Sequence, residues 1–133
     1  MSLYEKYFLP KLLDCCCGME GFQKKRAQIV PLAYGKVLEI GIGSGLNFDF
    51  YNFDSVDEVV GVDPAVSSVA IAKSRSSKYN SKISFIEETA ESIALESETF
   101  DCVVIGYTLC TIPEPLLALA EVNRLLKPSG SLF

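Results

Sequence analysis

The sequence predicts a doubly wound α/β fold built on a mostly parallel sheet. Three observations carry that expectation. Short apolar runs alternate with helix-like segments along the chain, and strands alternating with helices join by right-handed crossovers into a parallel sheet covered on both faces. The first run ends at once in a glycine-rich turn, Gly41, Gly43 and Gly45. The second ends in Asp63-Pro64, which a doubly wound sheet would bring beside that turn.

The elements follow in order. Residues 3–17 read as an amphipathic helix with Leu3, Tyr7, Phe8, Leu12 and Leu13 among charged positions, and Pro10 is expected to kink or divide it. Gly18 and Gly21 end that segment, and a second helix over 22–33 stops near Pro31 and Gly35. Strands are expected at Lys36–Ile40, Glu58–Val62, Lys82–Ile86 and Asp101–Ile105, and a fifth begins at Ser131, Leu132 and Phe133. Their near-continuous apolar character fits burial on both sides. Helices are expected over 45–52, 65–79 and 114–126. In the last, Glu114 and Pro115 suit a first turn, Leu116, Leu119, Ala120 and Leu126 recur at helical spacing, Lys127 would support the C-terminus, and Pro128 stops it. Ser129-Gly130 would then turn the chain into the last strand. The expected organisation is an N-terminal helical segment, 1–35, packing on a core of 36–133.

Composition narrows the function classes. With 49% apolar and 22% charged residues, the chain has the profile of a globular domain. The N-terminus has no signal-peptide h-region, so a cytoplasmic protein is expected. A net charge of −5 argues against general nucleic-acid affinity. Residues 1–36 nevertheless carry net +3, which reads either as a solvated helix face or as attraction to an anionic lipid surface or substrate, with peripheral membrane contact as its consequence. Five cysteines without a CxxC pair, and no histidine at all, make a metal site unexpected and remove Ser-His and Cys-His nucleophilic catalysis.

The stretch VLEIGIGSG, residues 37–45, is the most informative. Glycines directly after a strand let the backbone turn sharply and let a ligand approach the main chain, and a following helix would present its N–H groups to an anion. Asp63, 22 residues after Gly41, could accept both ribose hydroxyls of a bound nucleoside, or cap a helix with Pro64 at its first position. Both roles can hold together.

Acid-x-Gly-x-Gly-x-Gly, here Glu39-Ile-Gly41-Ile-Gly43-Ser-Gly45, resembles motif I of class I S-adenosylmethionine (SAM)-dependent methyltransferases. The nicotinamide-binding pattern would need glycine where Leu46 stands. AESIALESETFDCVVI (90–105) and NRLLKPSGSLF (123–133) are similar to the stretches around strands four and five of the type 11 methyltransferase group. The N-terminal part and LEIGIGSGLNFDFY (38–51) look most like a bacterial phospholipid N-methyltransferase-like branch, related to membrane-associated thiol methyltransferases, with the quinone methyltransferases more distant. The resemblance implies a Rossmann-like SAM-methyltransferase fold, a sheet in the order 3-2-1-4-5 with helices on both faces. It also implies a sixth and a seventh strand, which are absent here, so the chain is expected to expose a sheet edge, to self-associate and to turn over poorly.

Residue by residue, the resemblance implies that Gly41, Ile42 and Gly43 line the methionine part of SAM, with Gly45 completing the motif. Glu39 would orient the cofactor amino group, and Asn47 would hold the loop or the cofactor carboxylate. Asp63 would take the ribose and Pro64 would border the adenine. Thr89, Ala90 and Glu91 would face the adenine edge. Relatives carry Asp where Thr89 stands, which puts the contact to the adenine amino group in doubt, with Glu88 or Glu91 as substitutes. Gly106 and Tyr107 would lie near the reactive methyl.

The implied activity is methyl transfer to a small-molecule or lipid acceptor. The cofactor supplies the electrophile, and the protein aligns donor and acceptor and excludes water. Without histidine, a base would be Tyr107, a carboxylate or water. Tyr107 lines the acceptor site on one reading and is a packing aromatic on the other. Cys110 is either a reactive thiol or a small buried residue, the second being the expectation. A nicotinamide-dependent oxidoreductase and a non-catalytic nucleoside-binding module are the alternatives.

Overall fold

The structure, a computed structural model, describes residues 2–133, with the side chains of Lys6, Leu13 and Cys17 outside the described residues. Five strands, β1 (Gly35–Ile40), β2 (Val56–Val62), β3 (Ile83–Ile86), β4 (Phe100–Ile105) and β5 (Leu126–Leu132), form one sheet in the order β3-β2-β1-β4-β5. Every neighbouring pair is parallel. The expected topology is therefore present.

Alternate residues of the central strands feed two cores. Val37, Val59, Cys102 and Val104 pack with Val30, Ala33, Phe48, Tyr51, Val69 and Ala72 on one face. Leu38, Ile40, Val60, Val62 and Val103 pack with Ala90, Ile93, Ala118, Val122 and Leu125 on the other. Burial on both faces explains why the strands read as apolar runs rather than as alternating patterns.

Helices α3 (Val66–Ser76) and α4 (Pro115–Leu125) lie where the sequence places them. The N-terminal segment is divided beside Pro10, as expected, into a wide turn, Tyr4–Phe8, and helix α1, Leu9–Cys17, while other local expectations change. Its apolar positions Leu3, Tyr7, Phe8 and Leu12 are exposed, and Leu13 lies outside the described side chains. Helix α2 covers Glu20–Ile29 and passes into a 3₁₀ turn, Val30–Leu32.

No α-helix forms over 45–52; a single 3₁₀ turn, Phe48–Phe50, stands there. The side chains explain it. Asn47 and Tyr51 both reach inward to the Glu39 carboxylate, and Tyr51 already has extended backbone with ψ 133°. The glycine loop is thus not followed by a helix N-terminus.

Strand β5 begins at Leu126 rather than Ser131, with its register broken between the pairs Phe100–Leu126 and Cys102–Ser131. Lys127 belongs to this irregular stretch and pairs with Asp101 at 2.8 Å instead of supporting α4. Asp101 also accepts the Lys36 N–H, so its carboxyl, held first by Lys127, titrates below the usual range.

Candidate functional site

The carboxyl ends of β1, β2 and β4 meet around one cavity of about 280 Å³. In a doubly wound sheet this is the crevice where the strand order reverses. Its floor is the loop after β1. Gly41 and Gly43 have φ of +70° and +54°, the left-handed region in which a side chain is strained. A Cβ on Gly41 would collide with Thr108, whereas a Cβ on Gly43 would meet nothing nearer than the Gly41 carbonyl at 4.0 Å. Gly41 therefore lets the loop after β4 close in, and Gly43 leaves bare main chain facing the cavity.

Glu39 stands between Gly61 of β2 and Val104 of β4. Gly61 also makes room for Ile42: a Cβ there would run into the Ile42 side chain. The Glu39 carboxylate is 2% exposed. It accepts from Asn47 Nδ2 at 2.8 Å and from Tyr51 Oη at 2.7 Å. Burial is the dominant influence and pushes its pKa up to about 7, against those two hydrogen bonds and the Arg26 charge.

Asp63 ties the ends of β1 and β2 together. Its Oδ2 accepts the Gly43 N–H at 3.0 Å, and its Oδ1 accepts the Ala65 N–H at 2.8 Å. The second bond is an Asx turn rather than a helix cap, because α3 starts one residue later with Ala65 before it.

The N-terminal segment closes the other side. Asp14 of α1 receives Arg75 of α3 on both oxygens, at 2.6 and 2.9 Å, and the Ser44 hydroxyl of the glycine loop on Oδ1. Arg75 also donates to the Ser44 carbonyl at 2.9 Å. The Arg75 guanidinium holds the Asp14 carboxyl below the usual carboxylate range. Arg26 of α2 is 8% exposed, and its Nε donates to Asn47 Oδ1 at 2.9 Å.

Tyr107 follows β4 with a φ of +56°. A bulky residue in that region is a backbone outlier of the kind that collects at functional sites. Phe22 and Arg26, one turn apart on α2, hold its ring, Phe22 edge-on at 4.8 Å and Arg26 over the face at 5.2 Å.

Of the residues expected at the site, the cavity brings together Glu39, Gly41, Ile42, Gly43, Asn47, Asp63, Gly106 and Tyr107. Gly45, Pro64, Thr89, Ala90 and Glu91 are not in its lining. Ala90 is buried in the second core, and Glu91 accepts the Glu114 N–H. Glu88, offered with Glu91 in place of the Asp that Thr89 replaces, accepts the Ala94 N–H. Asp14, Ser44, Arg26 and Thr108 line the cavity without having been singled out. Arg26 sits within the basic run that reads as a solvated face, a reading that Lys24 fits through its exposed pair with Glu20. Cys110, expected to be buried, is exposed on the turn Leu109–Thr111.

Glu39 and Asp63 beside bare backbone offer acceptors for the amino and hydroxyl groups of a ligand, while Asp14 is already held on both oxygens by Arg75. Residues 38–133 match the family model described as a methyltransferase domain. The demethylmenaquinone methyltransferase of Staphylococcus haemolyticus is 35% identical over 120 residues, covering 90% of this chain and 40% of that protein. The ubiquinone biosynthesis O-methyltransferase of Aliivibrio fischeri is 30% identical over 99 residues, 74% of this chain and 42% of that protein. The chain thus spans about two fifths of the length of these relatives. A crystal structure of a SAM-dependent methyltransferase from Thermotoga maritima, described as a possible histamine N-methyltransferase, superimposes with a TM-score of 0.73 at 26% identity, over 97% of this chain and 57% of that one. Family and fold imply S-adenosylmethionine as the cofactor. The chain belongs to the methyltransferase domain family.

Proposed function

We propose that the protein transfers a methyl group from S-adenosylmethionine to a small-molecule acceptor. The observation that carries this reading is the junction of Glu39, Gly43 and Asp63 on one cavity wall. A buried carboxylate, exposed backbone and a second carboxylate at the end of β2 match an amino group, a sulfonium-bearing chain and a ribose in turn. The loop leaves room there: apart from its own chain neighbours, the nearest atom to the place where a Gly43 side chain would stand is the Gly41 carbonyl oxygen at 4.0 Å. The bound cofactor supplies an electrophilic methyl group, so the residues here bind and orient. Glu39, fixed by Asn47 and Tyr51, would receive the amino group. Asp63 would exchange its Gly43 bond for the ribose hydroxyls. Asp14 and Pro10 of α1 border the cavity and would exclude water.

On this reading residues 1–35 are an appendage that closes over a core of 36–133. Quinone methyltransferases among the relatives favour a small apolar acceptor. Calorimetric titration with S-adenosylhomocysteine, set against NADH, tests the cofactor assignment. Binding of NADH and not of S-adenosylhomocysteine would overturn it.

Peripheral membrane contact belongs to the same reading. Among the described residues no helix is long and apolar enough to cross a membrane. Leu3 and Phe8 are 78% and 56% exposed, with Tyr4, Tyr7 and Leu12 beside them; their own stretch, 3–17, is charge-balanced, and the net +3 of residues 1–36 comes from Lys24, Lys25, Arg26 and Lys36 against Glu20. Exposed apolar groups followed by a basic stretch suit an anionic bilayer surface. The protein should sediment with anionic vesicles, not with neutral ones, and salt should release it. Equal sedimentation with both would leave a solvated face.

A further inference from the structure

A line of side chains joins the cofactor wall to the loop after β4. Asn47 donates from Nδ2 to Glu39 at 2.8 Å and accepts on Oδ1 from Arg26 Nε at 2.9 Å. Glu39, Asn47 and Arg26 are 2%, 6% and 8% exposed, so one amide holds an acid and a cation apart in the interior. That amide has a single workable orientation. Turned over, it would set its N–H groups against the guanidinium and its oxygen against the carboxylate. With Glu39 ionised, both charges polarise the amide in the same sense, and each bond strengthens the other. Arg26 also lies over the Tyr107 ring, 5.2 Å from its centroid, and Phe22 meets the same ring edge-on. Asn47 stands against this loop as well, since a Cβ on Gly106 would lie 3.6 Å from its Nδ2. Tyr107 keeps a φ of +56°, and a bulky residue stays in that region only while its surroundings hold it there. The contacts thus run from a buried carboxylate to a ring that is 47% exposed.

We propose that Arg26 is a positioning residue, which through Asn47 makes the hold on Tyr107 depend on the state of the Glu39 carboxylate. This rests on the methyltransferase reading above, in which Glu39 meets the cofactor amino group. An ionised Glu39 is the stronger acceptor; it fixes the Asn47 amide and so presents the amide oxygen to Arg26. A protonated Glu39 accepts weakly, Asn47 and Arg26 loosen in turn, and Tyr107 gives up its strained backbone. The groups around Glu39 are Tyr51, Asn47 and Arg26, with the Asp63 charge at the end of β2 opposing its ionisation. Cys102 of β4 faces Tyr51 in turn. The chain has no histidine, so no imidazole titrates beside this set. A cofactor that brings its ammonium group to Glu39 keeps the carboxylate ionised, and thereby firms the loop after β4.

Tyr107→Trp supplies the reporter, because the chain contains no tryptophan of its own and an indole keeps an aromatic face for Arg26. Acrylamide quenching of its fluorescence, measured without cofactor, should be about twofold greater below the Glu39 pKa of about 7 than above it, as expected of losing an exposed cation–π contact. Adding Glu39→Gln should hold quenching at its low-pH level throughout, and adding Arg26→Gln should remove the pH dependence. Arg26→Lys should keep about half of the response, because one ammonium cannot serve both partners. It decides the matter if Arg26→Gln does not fold. Calorimetric titration of the Arg26 variants with S-adenosylhomocysteine is the second arm. Affinity that levels off near pH 7 in the wild type should go on rising for about one further pH unit in Arg26→Gln, since the lost cation raises the Glu39 pKa. Arg26→Lys should restore the wild-type profile. Quenching that does not rise below pH 7, or that survives these variants in full, would overturn the inference and leave the cofactor assignment standing. So would an affinity loss in Arg26→Gln that is equal at every pH, which would reduce Arg26 to packing. Absence of S-adenosylhomocysteine binding alongside a pH-dependent reporter would overturn the methyltransferase reading instead.

Discussion

The two sides of the first cavity are held by different kinds of contact. On the sheet side, Glu39, Asn47 and Tyr51 form a buried hydrogen-bonded set rooted in the central strand. On the opposite side, α1 reaches the cavity through Pro10 and Asp14, and Asp14 pairs with an Arg75 that is about one-third exposed, while the apolar side chains of the segment face outward. Buried polar contacts resist exchange with water, and half-exposed ion pairs compete with it. The sheet side is built to stay in place, and the helical side is attached by contacts that can be given up singly.

The sharpest way to break the comparison is to remove its fixed side. At pH 5, where the folded chain holds the carboxyl protonated, Glu39→Ala should lower stability by about 3 kcal/mol, since it leaves two buried donors unpaired around a void. A shift of the urea midpoint measures it, and a loss below 1 kcal/mol would mean that the buried set is not what holds the wall. The same carboxylate gives a pH signature. Its folded pKa of about 7 lies above the ordinary 4.5, so the folded chain binds the proton more tightly than the unfolded chain. Stability therefore falls as pH rises from about 4.5 to 7, by about 3 kcal/mol from this group. Cofactor affinity should move in the opposite direction, rising over the same interval as the carboxylate ionises to meet the amino group. Glu39→Gln should flatten both profiles, and an unchanged slope would assign them to other groups.

Asp63→Ala should weaken S-adenosylhomocysteine binding by about 1.5–3 kcal/mol, ten- to a hundredfold, in a folded protein. Unchanged calorimetric affinity would leave Asp63 as a turn residue that bridges β1 and β2. The smallest effect belongs to the helical side. Asp14→Asn should cost at most about 1 kcal/mol of stability, yet raise the rate of S-adenosylhomocysteine release several-fold, and salt should mimic it in the wild type. A release rate indifferent to both would show that α1 does not close the site.

Much of this was legible in the sequence because the sheet is buried on both faces. Runs such as KVLEI and DCVVI have no other use for so many apolar residues, and their order with the intervening helices fixed the topology. Gly41, Gly43 and Asp63 were legible because a strand followed by glycine, and a strand followed by an acid, are local marks. The segment 45–52 was not, since its helical appearance lost to two inward hydrogen bonds from Asn47 and Tyr51. Arg26 was hidden among Lys24 and Lys25, because neighbours on a helix that look alike in composition point to different surroundings. Asp14 and Arg75 meet across 61 positions, and such a pairing leaves no periodic trace. The break of register in β5 falls at Asp101, to which Lys127 donates from the neighbouring strand, and such a pairing is likewise invisible in the sequence.

Gly61 lies within β2 and lends its empty side to Ile42. The two positions amount to one choice written in two places. A larger residue at 61 is admissible only once position 42 has become smaller, while shrinking Ile42 first leaves a void in the core beneath the cavity floor. For a lineage carrying this pair, one order of change passes through a clash and the other through a hole. Descendants should therefore either keep the pair or replace it jointly, and a designer who wishes to reshape the floor at Ile42 has to change Gly61 in the same step.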